Sequence, residues 1–327
     1  MHQTPFRRRD LLAAGAFLAG SAALPLSALA QSGTVRFILP NATGSGIDAI
    51  TRAAAPALGK ALNASVVVEN MSGAGGVLGL QALARSPADG STFSMVSNNV
   101  VISPSIMKSL PFDMPGDFTP IAVVGATPMV LVVNPSKVPA ANAREFFAQL
   151  KAKPGEFNFG SGGNGTILHL ATELVMEAAG TKARHIPYKG VGPMVADLLS
   201  GQIDFATAAL PSVQAHIKSG ALRPIGLLPA QRTPAAPDIA TFAEQGLANF
   251  VVEAWFAMVG PKGMSAANVK KAHDAVVAAF NDPAVKETMA KQGNTINIST
   301  PEQAQAAFRS EPVRSAALVK KVGLEPQ

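Results

Sequence analysis

Apolar runs of strand length alternate with helical patterns along almost the whole chain. Runs at 35–39, 66–69, 92–97, 121–125 and 129–134 are predicted to be strands, as are 157–160, 183–188, 203–208, 223–228 and 251–259. Several are nearly unbroken in apolar character, which is the pattern of strands covered on both faces. Between them, 47–62, 141–151, 166–180, 193–200 and 212–219 carry helical periodicity. The alternation predicts an α/β fold with largely parallel sheets and right-handed crossovers.

The βα units fall into two blocks, one ending near residue 126 and one running from about 128 to 250. The tail after Trp255 is mostly helical, at 266–281, 283–292 and from 301 onward. A helical tail has no sheet of its own, so it is expected to return to the first block. The expected division is therefore a first lobe of 31–127 with 253–327 and a second lobe of 128–252. Two chain crossings between lobes would form a hinge.

The first thirty residues read as an address rather than as part of the fold. Arg7-Arg8-Arg9 precedes an apolar stretch from Leu11 to Leu24, and Ala28-Leu29-Ala30 supplies the small-x-small pattern of a cleavage site. The order predicts an export signal removed after Ala30 and a periplasmic mature chain. Arg8-Arg9-Asp10-Leu11-Leu12 also fits a twin-arginine signal, so both twin-arginine and general export remain open. No later stretch is long and apolar enough to span a bilayer.

Loss of that segment takes three arginines and one aspartate, lowering the net charge from +6 to +4. The remaining Lys and Arg are scattered, with only doublets such as Lys270-Lys271 and Lys320-Lys321, and aromatic residues make up 6% of the chain. Without a basic stripe or stacking platforms, nucleic acid is not an expected partner. Cysteine is absent, so the exported protein must be held together by its core. A monomer is expected.

Two small-residue loops carry most of the chemical information. They are Pro40-Asn41-Ala42-Thr43-Gly44-Ser45-Gly46 and Gly160-Ser161-Gly162-Gly163-Asn164-Gly165-Thr166, about 120 residues apart. Each follows a strand pattern and opens a helix. Such a junction presents unpaired N–H groups at the positive end of a helix, which suits an anion. Two of them suggest half-sites that face each other across a carboxylate ligand.

Other chemistries lack their parts. The second loop formally matches G-x-G-x-x-G, but the following strand runs into Lys189-Gly190 where a dinucleotide site needs an acidic residue. The loops have no P-loop lysine, and Gly-x-Ser-x-Gly does not occur. His169, His185, His216 and His273 show no metal-ligand spacing. No cofactor, metal or catalytic residue is expected. The rival reading is an exported α/β hydrolase using Ser45 or Ser161, for which no paired base stands at a recognisable spacing. Asp48, in the first turn after Gly46, either caps its helix, fixes the loop or accepts a bond from a ligand amine. His169 either orients the second loop or is a satisfied core histidine, and Trp255 is expected to pack.

Ordered blocks along the mature chain resemble one family. They are Val35-Arg36-Phe37-Ile38-Leu39-Pro40 with Gly44 and Asp48, and Val67-Val68-Glu69-Asn70 with Gly73-Ala74-Gly75-Gly76. Leu110-Pro111-Phe112-Asp113 with Asp117-Phe118, Asn158-Phe159-Gly160-Ser161 with Gly163-Asn164-Gly165-Thr166, and His185-Ile186-Pro187-Tyr188-Lys189-Gly190 follow. Asp197-Leu198-Leu199-Ser200-Gly201-Gln202 and Leu210-Pro211-Ser212 complete the series. The chain is similar to the tripartite tricarboxylate transporter receptors, or Bug extracytoplasmic solute-binding proteins. The resemblance implies a two-lobed periplasmic binding protein fold, type II-like, with a ligand cleft between the lobes. It implies capture of a small carboxylate by lobe closure, for delivery to a tripartite tricarboxylate-type membrane permease or to a sensor.

The expected ligand-binding set comprises Asn41, Thr43, Gly44, Ser45, Gly46 and Asp48 from the first loop. Ser161, Gly162, Asn164, Gly165 and Thr166 come from the second, with Asn98 and Tyr188 beside them. Two departures bear on specificity. Asn41-Ala42-Thr43-Gly44-Ser45 stands where the family usually has an aromatic-Pro-Pro-Gly-Gly wall, which favours a more polar ligand end. Ala208-Ala209 stands where Asp-Asn is common, which disfavours amino acids and favours a simple organic or aromatic acid.

Overall fold

The computed structural model describes residues 33–247, 250–324 and 326. The export segment expected at 1–30 lies outside the described residues. Two mixed sheets organise the chain. Strands β1 (Gly33–Leu39), β2 (Ala64–Asn70), β3 (Thr92–Ser97), β4 (Phe118–Thr127), β10 (Ala254–Pro261) and β11 (Thr295–Ile296) form the first, in the order β11-β4-β10-β3-β1-β2. Strands β5 (Met129–Val133), β6 (Asn158–Ser161), β7 (Arg184–Pro187), β8 (Phe205–Ala209) and β9 (Arg223–Leu227) form the second, in the order β7-β6-β8-β5-β9. We refer to the halves built on these sheets as the first and second lobes.

The sheets are mixed, which corrects the expectation of largely parallel pairing. β1 is parallel to β3, and β6 to both β7 and β8. β10 is antiparallel to β3 and β4, β11 to β4, and β5 to β8 and β9. The cause is the crossing between lobes. β5 starts two residues after β4 ends, with Pro128 between them, and β10 starts at Ala254 in register with Thr127. A strand that leaves the junction must run opposite to the strands that arrive there.

Burial on both faces explains the unbroken apolar runs. Every residue of β5 is buried, yet Met129, Leu131 and Val133 join one core while Val130 and Val132 join another. In β10, Phe256 and Met258 face one layer, and Ala257 and Val259 face the other. Phe37, Phe93, Phe146, Phe159, Phe205, Phe256, Phe280 and Phe308 are all fully buried. Each contributes about 1.5–3 kcal/mol relative to exposure, which is how a chain without disulfides is stabilised.

The helices are α1 (Gly46–Leu62), α2 (Val77–Ala84), α3 (Asn99–Ile106), α4 (Ala143–Ala152), α5 (Ile167–Ala179), α6 (Val191–Ser200), α7 (Leu210–Lys218), α8 (Ala266–Asn281), α9 (Pro283–Lys291) and α10 (Pro301–Lys321). None of the described helices is long and apolar enough to cross a membrane. α2 and α3 escaped the periodicity reading. α2 opens Val77-Leu78-Gly79-Leu80 with no polar face, and α3 carries Val100-Val101-Ile102 and Pro104, which read as strand and breaker. The helical tail returns to the first sheet, with α8 on α1 and α10 on α3 and β4. Its end goes further: Val319 joins the core of the second lobe, and Lys321 Nζ lies 3.0 Å from Glu177 Oε2 of α5.

Candidate functional site

The first loop is held by a buried carboxylate. Ser45 caps α1 in extended backbone (φ −70, ψ 161), and its Oγ accepts the Asp48 N–H. Asp48 Oδ2 accepts the Gly44 N–H at 3.0 Å, while Oδ1 accepts from Arg52 Nε at 2.8 Å and Asn70 Nδ2 at 3.0 Å. Asn70 Nδ2 also donates to the Asn41 carbonyl at 3.1 Å. Burial alone would raise the Asp48 pKa, but the Gly44 N–H, Asn70 and Arg52 outweigh it and hold the carboxyl below its ordinary value. Asp48 therefore fixes the loop.

The second loop is built on glycines with positive φ, Gly163 at +134 and Gly165 at +66. Thr166 caps α5 with its Oγ accepting the His169 N–H, and the same hydroxyl donates to the Gly163 carbonyl at 2.9 Å. Gly165 has a steric reason to lack a side chain. A Cβ there would collide with Ile106 Cδ1 of α3, so a side chain of one lobe lies against the backbone of the other.

Between the loops lie two joined compartments. The inner one, about 100 Å³, is bordered by the N-terminal ends of α1 (Ser45, Gly46, Ile47), α3 (Asn99), α5 (Thr166, Ile167, Leu168), α6 (Gly190, Val191) and α7 (Ala209). Ser97, Thr127, Met129, Ala254 and Trp255 complete its walls, and no charged side chain lines it. The outer one, about 600 Å³, adds Pro40, Ser72, Ser103, Ile106, Met107, Asn164, Tyr188 and Lys189, with the backbones of Gly73, Gly75, Gly76, Gly163 and Gly165. Asn41, Ala42, Asn99, Gly162, Thr166 and Gly190 border both.

Helix N-termini carry partial positive charge and N–H groups without intrahelical acceptors. Among the described residues, no protein acceptor takes the N–H of Gly46, Ile47, Leu168 or Val191, whereas Ile167 N donates to Asn99 Oδ1 at 2.7 Å. Five helix ends around a chamber without a cation form an environment for a carboxylate that must be bonded by neutral donors. Asn41 Oδ1 is also buried without a partner, leaving an acceptor for a ligand O–H or N–H.

Of the expected set, Asn41, Ser45, Gly46, Gly162, Asn164, Gly165, Thr166 and Tyr188 border these compartments. Thr43, Gly44, Asp48, Asn98 and Ser161 do not. Thr43 is exposed, Asp48 and Gly44 bond each other, and Asn98 Nδ2 donates to the Glu253 carbonyl at 3.2 Å. Ser161 is fully buried; its Oγ accepts the Gly163 N–H at 3.1 Å and lies 2.7 Å from His185 Nε2. A serine–histidine pair thus exists that spacing did not reveal, but it borders neither compartment. Tyr188 donates its hydroxyl to Asp197 Oδ2 at 2.8 Å; burial first, and then this carboxylate, push its pKa up to about 12.

Asn99, Gly190, Val191, Ala209 and Trp255 were missed. Gly190-Val191 repeats the glycine-before-helix pattern of the two loops and was the signal available. Trp255 packs on Phe308 at 5.4 Å, as expected, and also borders the inner chamber.

The family model for tripartite tricarboxylate transporter family receptors matches residues 50–324. The chain belongs to that receptor family. The protein BugT of Bordetella pertussis is 37% identical to this receptor over 96% of this chain and 98% of its own. The structure of the periplasmic binding protein BugD is similar with a TM-score of 0.84 and 30% identity, covering 90% of this chain and 99% of that one. Two ligand-bound relatives share the fold. An R. palustris protein with adipate has a TM-score of 0.86 and 26% identity, covering 90% of this receptor and 99% of that chain. MatC from Rhodopseudomonas palustris, with bound malate, has a TM-score of 0.78 and 25% identity, covering 88% and 98%. The two-sheet fold of this receptor is thus that of a periplasmic solute-binding protein.

Proposed function

We propose that this receptor captures a small organic acid between its lobes and delivers it to a tripartite tricarboxylate-type permease. The observation that carries the reading is the convergence of five helix N-termini on a chamber lined by no charged side chain. The ligand carboxylate enters that chamber and is bonded by backbone N–H groups such as those of Gly46, Ile47, Leu168 and Val191, with Ser45 and Thr166 beside them. The rest of the molecule occupies the outer compartment, where Asn41 offers an acceptor. A chamber of about 100 Å³ takes little more than the acid group, so an aliphatic or aromatic body extending outward fits better than a very short acid. Adipate and malate in the relatives support the carboxylate class. Ala209 on the inner wall leaves an ammonium group no acceptor at that position, in favour of a plain acid over an amino acid.

We place the hinge at 127/128 and 252/253 and infer that the lobes open for entry and close on the ligand. Signal removal after Ala30 would release the receptor into the periplasm.

The test is a thermal-shift and calorimetric screen of residues 31–327 against mono-, di- and tricarboxylates, aromatic acids and amino acids. A ligand at a hundred times its dissociation constant adds about 2.7 kcal/mol of stability. Val191→Pro removes one N–H at the first position of α6, where proline is compatible with helix geometry. It should keep the fold and weaken binding about tenfold or more, the value of one charge-assisted bond. No stabilisation by any acid, in protein stripped of co-purified ligand, sinks the proposal.

A further inference from the structure

Two imidazoles stack face to face beneath the second glycine loop. The ring centroids of His169 (α5) and His185 (β7) are 3.6 Å apart with 15° between their planes, and Phe159 of β6 stacks on His185 at 4.9 Å. Each histidine holds one end of the loop. His169 Nδ1 accepts the Gly165 N–H at 3.0 Å. That nitrogen therefore carries a lone pair and the ring proton sits on Nε2, which faces Glu173 Oε1 at 3.6 Å. His185 Nε2 lies 2.7 Å from Ser161 Oγ, the atom that accepts the Gly163 N–H. The two glycines so anchored are the loop positions with positive φ, where no ladder of helix or sheet bonds fixes the backbone.

We propose that His169 and His185 are positioning residues for the second glycine loop, and that the loop keeps its ligand-binding shape only while the His169 ring is neutral and its Nδ1 can accept, so that carboxylate capture is released by acid. The proposal rests on the receptor reading above.

Protonating His169 turns its acceptor nitrogen into a donor facing the Gly165 N–H, and attraction becomes repulsion. Like charges at this separation cannot both be accommodated, so the stack accepts one proton. Burial and the neighbouring His169 push the His185 pKa down to about 3. Glu173 Oε1, 3.6 Å from His169 Nε2, stands as the counter-ion on the other edge of that ring. The groups packed on α5 nearest the stack include the neutral Phe159 from β6, Thr207 of β8 bonded to Thr172 at 2.8 Å, and Asn99 of α3 at the first helical amide. Glu177, two turns on, is paired with Lys321 of α10.

The test uses the ligand-free protein first. Nitrogen-15 spectra at pH 7.5 should find His169 as the Nε2–H tautomer. Lowering the pH from 7.5 to 4.5 should cut the hydrogen-exchange protection factor of the Gly165 amide at least tenfold, in step with the change in the His169 ring nitrogen signals. His169→Asn, whose side-chain oxygen replaces Nδ1 without titrating, should retain protection and abolish its pH dependence. His169→Leu should lose protection at every pH. Glu173→Gln removes the counter-ion without touching the loop and should move the transition to lower pH. Protection that stays constant in the unmodified protein overturns the latch.

Calorimetry with the carboxylate found in the screen supplies the second arm. Affinity should fall at least tenfold from pH 7.5 to 5 and be flat in His169→Asn. A loop that opens without a change in affinity overturns the positioning role. If the Gly165 amide behaves as described but no acid binds at any pH, the receptor reading fails and the histidine latch stands apart from it.

Discussion

Asn99 Oδ1 accepts the Ile167 N–H at 2.7 Å, so the first residue of a helix in one lobe caps a helix of the other. The bond joins the two lobes, and on the proposed opening and closing it exists only while they are together. Asn99→Ala removes it, a change of about 0.5–1.5 kcal/mol in favour of the open form. That corresponds to a shift in the open-to-closed ratio of about twofold to tenfold. Small-angle scattering of the ligand-free protein should give a larger radius of gyration for the variant, with the difference removed by saturating ligand. Identical scattering before ligand is added would contradict the role of this bond in closure.

Gly165 and Ile106 make the same point sterically. A Cβ on Gly165 would overlap Ile106 Cδ1, and the φ of +66 adds backbone strain. Because the clash lies between lobes, Gly165→Ala should wedge the cleft rather than unfold either core. We expect melting to fall by only a few degrees while ligand affinity drops about a hundredfold. Ile106→Ala in the same chain should recover part of the affinity, since the double variant removes the colliding Cδ1 and Cγ1 and leaves only Cβ. Equal losses of stability and affinity, without recovery, would argue against a wedge.

These cross-lobe pairs mark where the sequence stopped being legible. The glycine loops and the doubly covered strand β5 could be read locally, because small-residue junctions and unbroken apolar runs are local signals; the caps Ser45 and Thr166 emerge only from the structure. α3 could not, since Val100-Val101-Ile102 and Pro104 conceal its helical periodicity, and with it went Asn99 and Ile106. Ser161 belongs to the expected ligand-binding set, but as the last residue of β6 its side chain turns inward to His185. His169 and His185 meet through the pairing of β6 with β7, which no spacing along the chain encodes. The mixed sheets likewise follow from chain crossings that an alternation of runs cannot orient.

Asp48 anchors the first loop through Gly44, Arg52 and Asn70. Asp48→Asn places an amide donor among groups that already donate, and should cost about 2–4 kcal/mol at pH 7. Affinity should fall with it, because Gly44 and Asn41 lose their tether. The folded-state pKa of Asp48 is lowered, so its stabilisation is present above the unfolded carboxyl pKa of about 3.9. It disappears as pH falls through the folded value, and the gap in melting temperature between the two proteins should narrow in acid. A gap that stays constant down to pH 2 would assign the effect to packing instead.

His185 predicts a second acid dependence, higher on the pH scale. Its pKa drops from 6.5 to about 3 on folding, first through burial and then through the neighbouring His169. Below pH 6.5 the unfolded chain takes up a proton that the folded ring refuses. The neutral ring's contribution is therefore complete above 6.5 and is lost as pH falls toward 3. One such proton gives a slope of at most about 1.4 kcal/mol per pH unit, or a few degrees of melting temperature per unit for a chain of this size. His185→Gln removes the titrating ring from beside Ser161 and His169, so its melting temperature should fall less steeply between pH 6.5 and 4 than that of the unmodified protein. Parallel profiles over that interval would mean that the ring is protonated in the folded state, with its stack on His169 already open.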